Sequence, residues 1–181
     1  MGFMDNGKPS SGSLMMNNSE ISVVVITVSD RSSKGIREDK SGPLIVEFLK
    51  ENNFLVTGYN IIPDEKEDIV KELNNWINQN VNLIFTTGGT GFAPRDITPE
   101  ATSLVIERET PGLAEYLRYK SFQITPHATL SRGVAGIKNQ TLIVNLPGSP
   151  KAAKECVEFL LPVLPHAIEL LIDSPESENN H

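Results

Sequence analysis

Residues 86–100 hold the combination of side chains and glycines best suited to chemistry in this sequence. Gly88, Gly89 and Gly91 let the backbone turn sharply and bring its N–H groups close to anionic oxygens without a Cβ in the way. Thr87 and Thr90 add hydroxyl donors. An ordinary tight turn explains this pattern as well as a phosphate-binding loop does, because it matches neither the Walker A motif nor the dinucleotide fingerprint.

Asp96 follows this glycine loop, five residues after Gly91. A carboxylate between a glycine loop and a helix can hold Mg²⁺ against phosphate oxygens. A lone aspartate at such a place is more often a helix cap or a turn residue. The residues by themselves therefore leave both interpretations open.

The segments on either side of the loop predict how it is positioned. Residues 81–86 form a short, apolar and partly β-branched run that is typical of a buried parallel strand. The glycines then follow the carboxyl end of that strand, where open α/β sheets bind ligands. Thr98, Pro99 and Glu100 have the form of an N-cap, a first-turn proline and a first-turn acid, which predicts a helix over residues 99–108.

The rest of the chain alternates between strand and helix patterns. Predicted strands cover residues 21–29, 54–62, 81–86 and 141–146, and predicted helices cover 41–52, part of 64–80, 99–108, 111–120 and 150–172. Pro162 and Pro165 must bend or interrupt the last helix, and residues 133–140 predict a short irregular hairpin. The repeated β-α-β pattern indicates an α/β fold with three layers, a mostly parallel sheet with helices on both faces.

Four loops fall at the carboxyl ends of predicted parallel strands and are expected to converge on one pocket. They are Ser29-Asp30, Pro63-Asp64, the glycine loop and Pro147-Gly148-Ser149. From the residues alone, Asp64 is better explained as an acid that stabilises a helix N-terminus. Ser29 and Asp30 are weaker candidates that a cap or turn would also explain, and Ser149 is equally suited to binding phosphate or capping a helix.

Composition limits the classes of function. The chain has 181 residues, 39% of them hydrophobic, and a net charge of −7, which predicts one soluble domain over residues 21–172 between disordered segments at 1–20 and 173–181. The negative charge argues against nucleic-acid binding, and no apolar stretch is long enough to cross a membrane. The single Cys156 shares an apolar helical stripe with Phe159, Leu160 and Val163, which predicts a core position.

Residues 88–102 resemble the signature of the molybdenum cofactor biosynthesis family, which includes bacterial Mog proteins, the G domain of gephyrin and the matching plant domain. Further stretches resemble the family's other motifs, in the family's order, over about residues 23–172. They are Thr27-Val28-Ser29-Asp30, Asp39-Lys40-Ser41-Gly42, Pro63-Asp64-Glu65, Leu130-Ser131-Arg132 and Asn145-Leu146-Pro147-Gly148-Ser149. So many separate matches in one order are not expected by chance.

This resemblance implies a molybdopterin adenylyltransferase, which transfers AMP from ATP to the terminal phosphate of molybdopterin and releases pyrophosphate. It assigns catalysis and Mg²⁺ binding to Asp64 and Asp96, and molybdopterin contacts to Ser131 and Arg132. Nucleotide and phosphate binding is expected of the residues in the four loops: Ser29, Asp30, Thr87, Gly88, Gly89, Thr90, Gly91, Pro147, Gly148 and Ser149. The resemblance further implies a cytoplasmic homotrimer that serves a molybdate-inserting, E-type domain or protein.

Two hypotheses from other classes stay open at this point. One is a non-catalytic molybdopterin-binding or scaffold module, which would bind the pterin without releasing pyrophosphate from ATP. The presence of both Asp64 and Asp96 counts against this hypothesis. The other is a different nucleotide-using enzyme on the same fold, as in the related MoaB branch.

Overall fold

A computed structural model describes residues 16–172 of the chain. Its centre is a six-stranded sheet in the order β2-β1-β3-β6-β5-β4. The strands are β1 (Ser22–Val28), β2 (Leu55–Ile62), β3 (Leu83–Thr87), β4 (Arg108–Glu109), β5 (Ala135–Lys138) and β6 (Thr141–Leu146). β2, β1, β3 and β6 run parallel, whereas β5 and β4 add an antiparallel edge. The predicted mostly parallel sheet is confirmed.

Seven α-helices accompany these strands within the described residues, and the last two follow β6. They are α1 (Asp30–Ser33), α2 (Ser41–Glu51), α3 (Lys66–Ile77), α4 (Thr98–Val105), α5 (Pro111–Phe122), α6 (Pro150–Leu160) and α7 (Leu164–Ile172). Short 3-10 helices occupy Asn18–Glu20 and Pro126–Leu130. No helix within residues 16–172 is both long and apolar enough to span a bilayer.

Alternating side chains of the central strands produce the three layers. Val23 and Val25 of β1 point into a core that also contains residues of α2, α5, α6 and α7, while Val24 and Ile26 point into a second core with α3 and α4. Each of these four side chains is fully buried. A strand that is covered on both faces must be apolar at every position, which explains the unbroken β-branched run in β1.

Several element boundaries differ from the predictions for local reasons. The helix predicted to start after an N-cap at Thr98 has Ile97 in that position, because the Thr98 hydroxyl donates instead to the Gly88 carbonyl oxygen at 2.9 Å. The same helix ends at Val105 rather than at residue 108, since Arg108 and Glu109 pair with β5 as an edge strand. That two-residue strand was missed.

Most of the remaining predicted elements agree closely with the structure. Residues 141–146 form β6 as expected. The hairpin predicted within residues 133–140 is wrong in its bounds, because that segment holds only β5 and the turn with Asn139 at a φ of 51°, and β6 supplies the second strand. The helix predicted over 150–172 is interrupted between Leu160 and Leu164. Most of the predicted disordered segments, residues 1–15 and 173–181, lie outside the described residues, and the 3-10 helix Asn18–Glu20 extends regular structure before residue 21.

Candidate functional site

The four predicted loops meet at the carboxyl edge of the parallel strands. The Ser29 N–H donates to the Ile62 carbonyl oxygen at 2.9 Å, which joins the first two loops. The Gly88 N–H donates to the Leu146 carbonyl oxygen at 3.3 Å, and the Thr87 hydroxyl donates to that of Pro147 at 2.7 Å. Direct hydrogen bonds therefore connect the loops in pairs, as the parallel topology requires.

The first two glycines of the loop are required by its backbone geometry. Gly88 has a φ of +100°, and a Cβ placed on it would lie 2.3 Å from the Val28 carbonyl oxygen. Gly89 has a φ of +66°, and its Cβ would lie 2.3 Å from the Thr98 hydroxyl oxygen. Both conformations lie in the left-handed region that favours glycine. The loop is thus packed against β1 and the start of α4 and could not accept side chains at these positions without shifting.

Asp64 and Asp96 both lie against this glycine loop. A Cβ on Gly89 would be 3.1 Å from Asp64 Oδ1, and one on Gly91 would be 2.9 Å from Asp96 Oδ2. Asp96 Oδ2 also accepts a hydrogen bond from the Ala93 N–H at 3.0 Å. The two carboxylates thus border a single loop, although they lie far apart in the sequence.

Asp30 and Asp64 hold each other through reciprocal hydrogen bonds. The Asp30 N–H donates to Asp64 Oδ2 at 2.7 Å, and the Asp64 N–H donates to Asp30 Oδ1 at 3.1 Å. Each carboxylate therefore satisfies a backbone N–H of the neighbouring loop. Asp30 has a positioning contact here in addition to its place at the start of α1.

Arg95 bridges the acidic groups of these loops. Its guanidinium donates to both carboxylate oxygens of Asp30, to the Asp64 carbonyl oxygen at 3.1 Å and to Glu65 Oε1 at 2.7 Å. The two-point contact with Asp30 uses the planar fork that lysine lacks. Arg95 thereby links the loop that carries Asp96 to the loops that carry Asp30 and Asp64.

The pKa of the Asp64 carboxyl is raised above its ordinary value. Partial burial is the main cause, because it disfavours the charged form, and the negative charges of Asp30 and Asp96 act in the same direction. The hydrogen bond from the Asp30 N–H and the charge of Arg95 oppose the rise. A cation placed between Asp64 and Asp96 would relieve this repulsion.

The structure separates the two residues expected to contact the pterin. Ser131 lines the large cavity described below. The Arg132 guanidinium instead donates to the carbonyl oxygens of Gly91 and Asp96, at 2.8 and 2.5 Å, and pairs with Glu100. Arg132 thus braces the glycine loop against α4, and it holds the pKa of the Glu100 carboxyl below its usual range.

Other predicted loop residues have internal partners. Ser29 caps α1, with its Oγ accepting from the Ser32 N–H at 3.2 Å, and the Thr87 hydroxyl donates to Pro147. Ser149 occupies the N-cap position of α6, but its side chain makes no capping hydrogen bond. Thr90, Pro147 and Gly148 line the cavity together with Gly89, Gly91 and Asp96.

A cavity of about 450 Å³ extends from the glycine loop into the space between α5 and α6. Leu117, Arg118 and Ser121 form its α5 wall, and Ala152, Glu155 and Cys156 form its α6 wall. No motif in the sequence pointed to Arg118 or Glu155. The only signal was their spacing beside apolar helix positions, which an ordinary surface residue would also show.

Asp39 and Ser41 stabilise the Pro147-Gly148 turn, which lines the cavity. Asp39 Oδ1 accepts from the Ser41 N–H at 2.9 Å, and its Oδ2 accepts from the Tyr59 hydroxyl. The Ser41 hydroxyl then donates to the Gly148 carbonyl oxygen at 2.7 Å. This chain of contacts fixes the Pro147-Gly148 turn from the N-terminus of α2, so the Asp39-Lys40-Ser41-Gly42 motif has a structural role at the site's edge.

The carboxylates present suit a magnesium ion that is shared with a ligand. Among residues 16–172 there is no cluster of three or more histidine, cysteine or acidic side chains able to hold a metal by themselves. Mg²⁺ commonly binds through one or two carboxylates plus substrate phosphates and waters. Asp64 and Asp96 supply two such carboxylates beside a glycine loop that can bind phosphate.

Comparison with known proteins agrees with the fold. The family described as a probable molybdopterin binding domain, of molybdenum cofactor biosynthesis proteins, matches residues 24–166. The chain belongs to this family, and the resemblance drawn from its motifs is confirmed.

Individual relatives cover most of the chain. A molybdopterin adenylyltransferase of Helicobacter pylori is 46% identical over 84% of this chain and 88% of that relative. Gephyrin of Dictyostelium discoideum is 46% identical over 86% of this chain, which spans only 23% of gephyrin's length. The crystal structure of the molybdopterin biosynthesis enzyme MoaB from Thermus thermophilus superposes with a TM-score of 0.80 at 49% identity, covering 86% of this chain and 98% of that one.

Proposed function

We propose that this protein is a molybdopterin adenylyltransferase. The observation that carries the proposal is the pair of carboxylates, Asp64 and Asp96, held against one glycine loop that lines, together with Asp96, a cavity large enough for an organic ligand. The Helicobacter pylori relative named for this activity aligns over most of its length, which supports the same reaction here. We infer a nucleotidyl transfer from ATP to molybdopterin.

In the proposed reaction, an oxygen of the terminal phosphate of molybdopterin forms a bond to the α-phosphorus of ATP. The bond from that phosphorus to the bridging oxygen breaks, and pyrophosphate leaves. The reaction needs no covalent enzyme intermediate, so the protein's task is to align two polyanions and offset the charge that develops. Gly89 to Gly91 would bind phosphate through backbone N–H groups, and Thr90 would add its hydroxyl.

Asp64 and Asp96 would position the ligand phosphates and hold Mg²⁺ between them. The ion would neutralise phosphate charge and stabilise the departing pyrophosphate. Arg95 would keep Asp64 and Asp30 in place through its contacts with both loops. The hydrogen bonds from Arg132 to the carbonyl oxygens of Gly91 and Asp96 would hold these two residues in place beside α4.

The wider assignments remain part of this proposal. We place the folded domain at residues 21–172 and the reaction in the cytoplasm, with a homotrimer as the expected assembly. The adenylylated product would pass to a domain or protein that inserts molybdate. These points follow from the family resemblance rather than from contacts within this chain.

Pyrophosphate release from ATP and Mg²⁺, with and without molybdopterin, tests the proposed reaction. We expect release that requires the pterin in the wild type and falls about a hundredfold or more in Asp96→Asn, since one lost electrostatic contact in a transition state typically costs about 2.7–4 kcal/mol. Asp68→Asn is the matched control, because Asp68 is an exposed acid on α3. Near-normal turnover by Asp96→Asn would remove that residue from the mechanism. Tight pterin binding without release by the wild type would make the protein a carrier or scaffold.

A further inference from the structure

We infer that Glu155 recognises the aminopyrimidinone edge of the pterin and thereby selects pterins over other ring systems. The inference rests on the proposed function only for the choice of a pterin as ligand. It concerns the end of the cavity between α5 and α6, which the loop motifs do not cover.

The cavity has chemically different ends. At one end lie the glycine loop and Asp96, with backbone N–H groups and a carboxylate suited to phosphate and Mg²⁺. Between α5 and α6 the walls contain the apolar Ala114, Leu117, Ala152 and Cys156, with the polar Arg118 and Ser121 beside them. Such walls suit the faces of a flat heterocycle, so a ligand with a phosphate at one end and a ring at the other fits this order of groups.

Glu155 is the acidic residue of the α6 wall of the cavity. Asp96 and Glu155 are the two acidic residues that line the cavity within residues 16–172. Ala152, Glu155 and Cys156 occupy one face of α6, because residues three and four apart lie together on a helix. Glu155 lies about 8 Å along α6 from its first residue, at about 1.5 Å per residue, which leaves room for a ring between it and the phosphate loop.

The surroundings of Glu155 leave its carboxylate available to a ligand. Its ion pair with Lys151 is long, at 3.8 Å, and the Lys151 side chain is 81% exposed. An exposed pair of this kind contributes little free energy. The neighbouring Cys156 thiol bonds with the Ser121 hydroxyl across the cavity wall rather than with Glu155. A ligand donor therefore displaces only a weak contact.

Hydrogen-bonding chemistry decides which ring this carboxylate prefers. A carboxylate only accepts, and with two oxygens it matches a pair of adjacent donors. A pterin presents such a pair, its ring N–H and its exocyclic amino group. Adenine presents an amino group flanked by ring nitrogens that accept, so one carboxylate oxygen would face an acceptor. The ring pocket therefore fits the pterin rather than the nucleotide base.

A comparison of pterin-6-carboxylate with lumazine-6-carboxylate tests this directly. Lumazine carries an oxygen in place of the amino group, so it presents an acceptor where the pterin presents a donor. We expect the wild type to bind the pterin about tenfold or more tightly than the lumazine, as measured by titration of ligand fluorescence with the full chain. In Glu155→Gln the side-chain amide can donate to the lumazine oxygen, so the preference should vanish or reverse.

Glu158→Gln is the control, since Glu158 is exposed one turn along the same helix and does not line the cavity. It should keep the wild-type preference, and circular dichroism should show that both variants fold. If the ratio of pterin to lumazine affinity is unchanged in Glu155→Gln, the inference is overturned. It is also overturned if Glu155→Gln loses affinity for AMP and keeps its affinity for the pterin, since that result would assign the pocket to adenine.

The outcome is separable from that of the proposed reaction. Wild-type protein that releases pyrophosphate but shows no Glu155-dependent ring preference would overturn only this inference. Protein that shows the preference but releases no pyrophosphate would overturn only the adenylyl transfer.

Discussion

Arg95 is the residue on which the geometry of the acidic loops depends most directly. Its guanidinium contacts groups of three residues on the neighbouring loops, Asp30, Asp64 and Glu65, although more than half of its side chain is exposed. Exposed ion pairs of this type contribute about 0–1 kcal/mol to stability. The value of these contacts therefore lies in positioning Asp64 rather than in holding the fold together.

Replacing Arg95 should consequently reduce turnover more than stability. We expect Arg95→Lys to lower kcat for pyrophosphate release about tenfold with little change in the KM for ATP, because lysine keeps the charge but loses the two-point contact. The melting temperature should change by no more than a few degrees. Arg37→Lys, at an exposed position outside the site, is the control. Equal kcat for wild type and Arg95→Lys would show that Asp64 does not depend on the bridge.

Cys156 provides a pH-dependent test of the cavity wall. Burial raises the pKa of its thiol to about 11, and the charge of Glu155 acts in the same direction. Since the thiolate is the reactive form and appears only as pH rises toward the pKa, labelling at about pH 8 should be slow. We expect a rate on the order of a hundredfold below that of the unfolded chain, rising steadily up to about pH 11.

This labelling experiment is unambiguous because the chain contains a single cysteine. An alkylating reagent would be followed by mass spectrometry from about pH 7 to about pH 11, with protein in denaturant as the reference. Similar rates for the folded and unfolded protein at the lower end of this range would contradict the buried, protonated thiol. Bound pterin should slow labelling further, since Cys156 lines the cavity.

The backbone conformation of the glycine loop is fixed by its contacts with β1 and the start of α4. Gly88 lies where a Cβ would collide with the Val28 carbonyl oxygen of β1, and its φ of +100° is unfavourable for other residues. Apart from its chain neighbours and the backbone of its own helix, a Cβ added to Gly112, at the start of α5, would meet no heavy atom within 4 Å among the described residues. The two glycines therefore differ in what a methyl group would cost.

Gly88→Ala should destabilise the protein, whereas Gly112→Ala should be nearly neutral. We expect a loss of about 2–4 kcal/mol in the free energy of unfolding for Gly88→Ala, from backbone strain and the contact with Val28. Urea denaturation of both variants measures the difference. A loss below about 1 kcal/mol for Gly88→Ala, the scale of an ordinary surface change, would mean that β1 and the loop can move apart.

Elements were predictable to the extent that local patterns determine them. The β-branched run of β1 and the proline-bounded helices are local signals, and they appear in the structure within a few residues of the predicted limits. The β4 strand was not predictable, because two residues gain strand geometry only by pairing with β5. Likewise, Thr98 looks like a cap in sequence, yet its hydroxyl donates to Gly88, a partner that only the folded loop brings near.

The site was predictable where the parallel topology brings loop ends together. Asp64 and Asp96 were expected from family resemblance, and the structure does place both beside the glycine loop. The cavity's helical walls were not expected, since Arg118 and Glu155 belong to no loop motif and line the cavity only because α5 packs against α6. Long-range contacts between helices leave little trace in a single sequence.

At the scale of the whole molecule, the central strands couple the two layers of helices. β1 contributes Val23 and Val25 to one core and Val24 and Ile26 to the other, so neither core can come apart without disrupting the same strand. The ligand cavity lies in the layer with α5 and α6. The single tryptophan, Trp76, lies on α3 in the opposite layer, where a Cβ on Gly58 would contact its ring.

This coupling predicts that a ligand in the cavity stabilises the opposite layer by the same amount. Molybdopterin at about 100 times its Kd should add about 2.7 kcal/mol, which raises Tm by roughly 5–10 °C for a domain of this size. Trp76 fluorescence and far-ultraviolet circular dichroism should report one coincident transition and the same shift, because a two-state unit has no separately melting layer. A shift seen by circular dichroism but absent from Trp76 fluorescence would mean that α3 unfolds independently, and that the continuous β1 strand does not transmit the stabilisation between the layers.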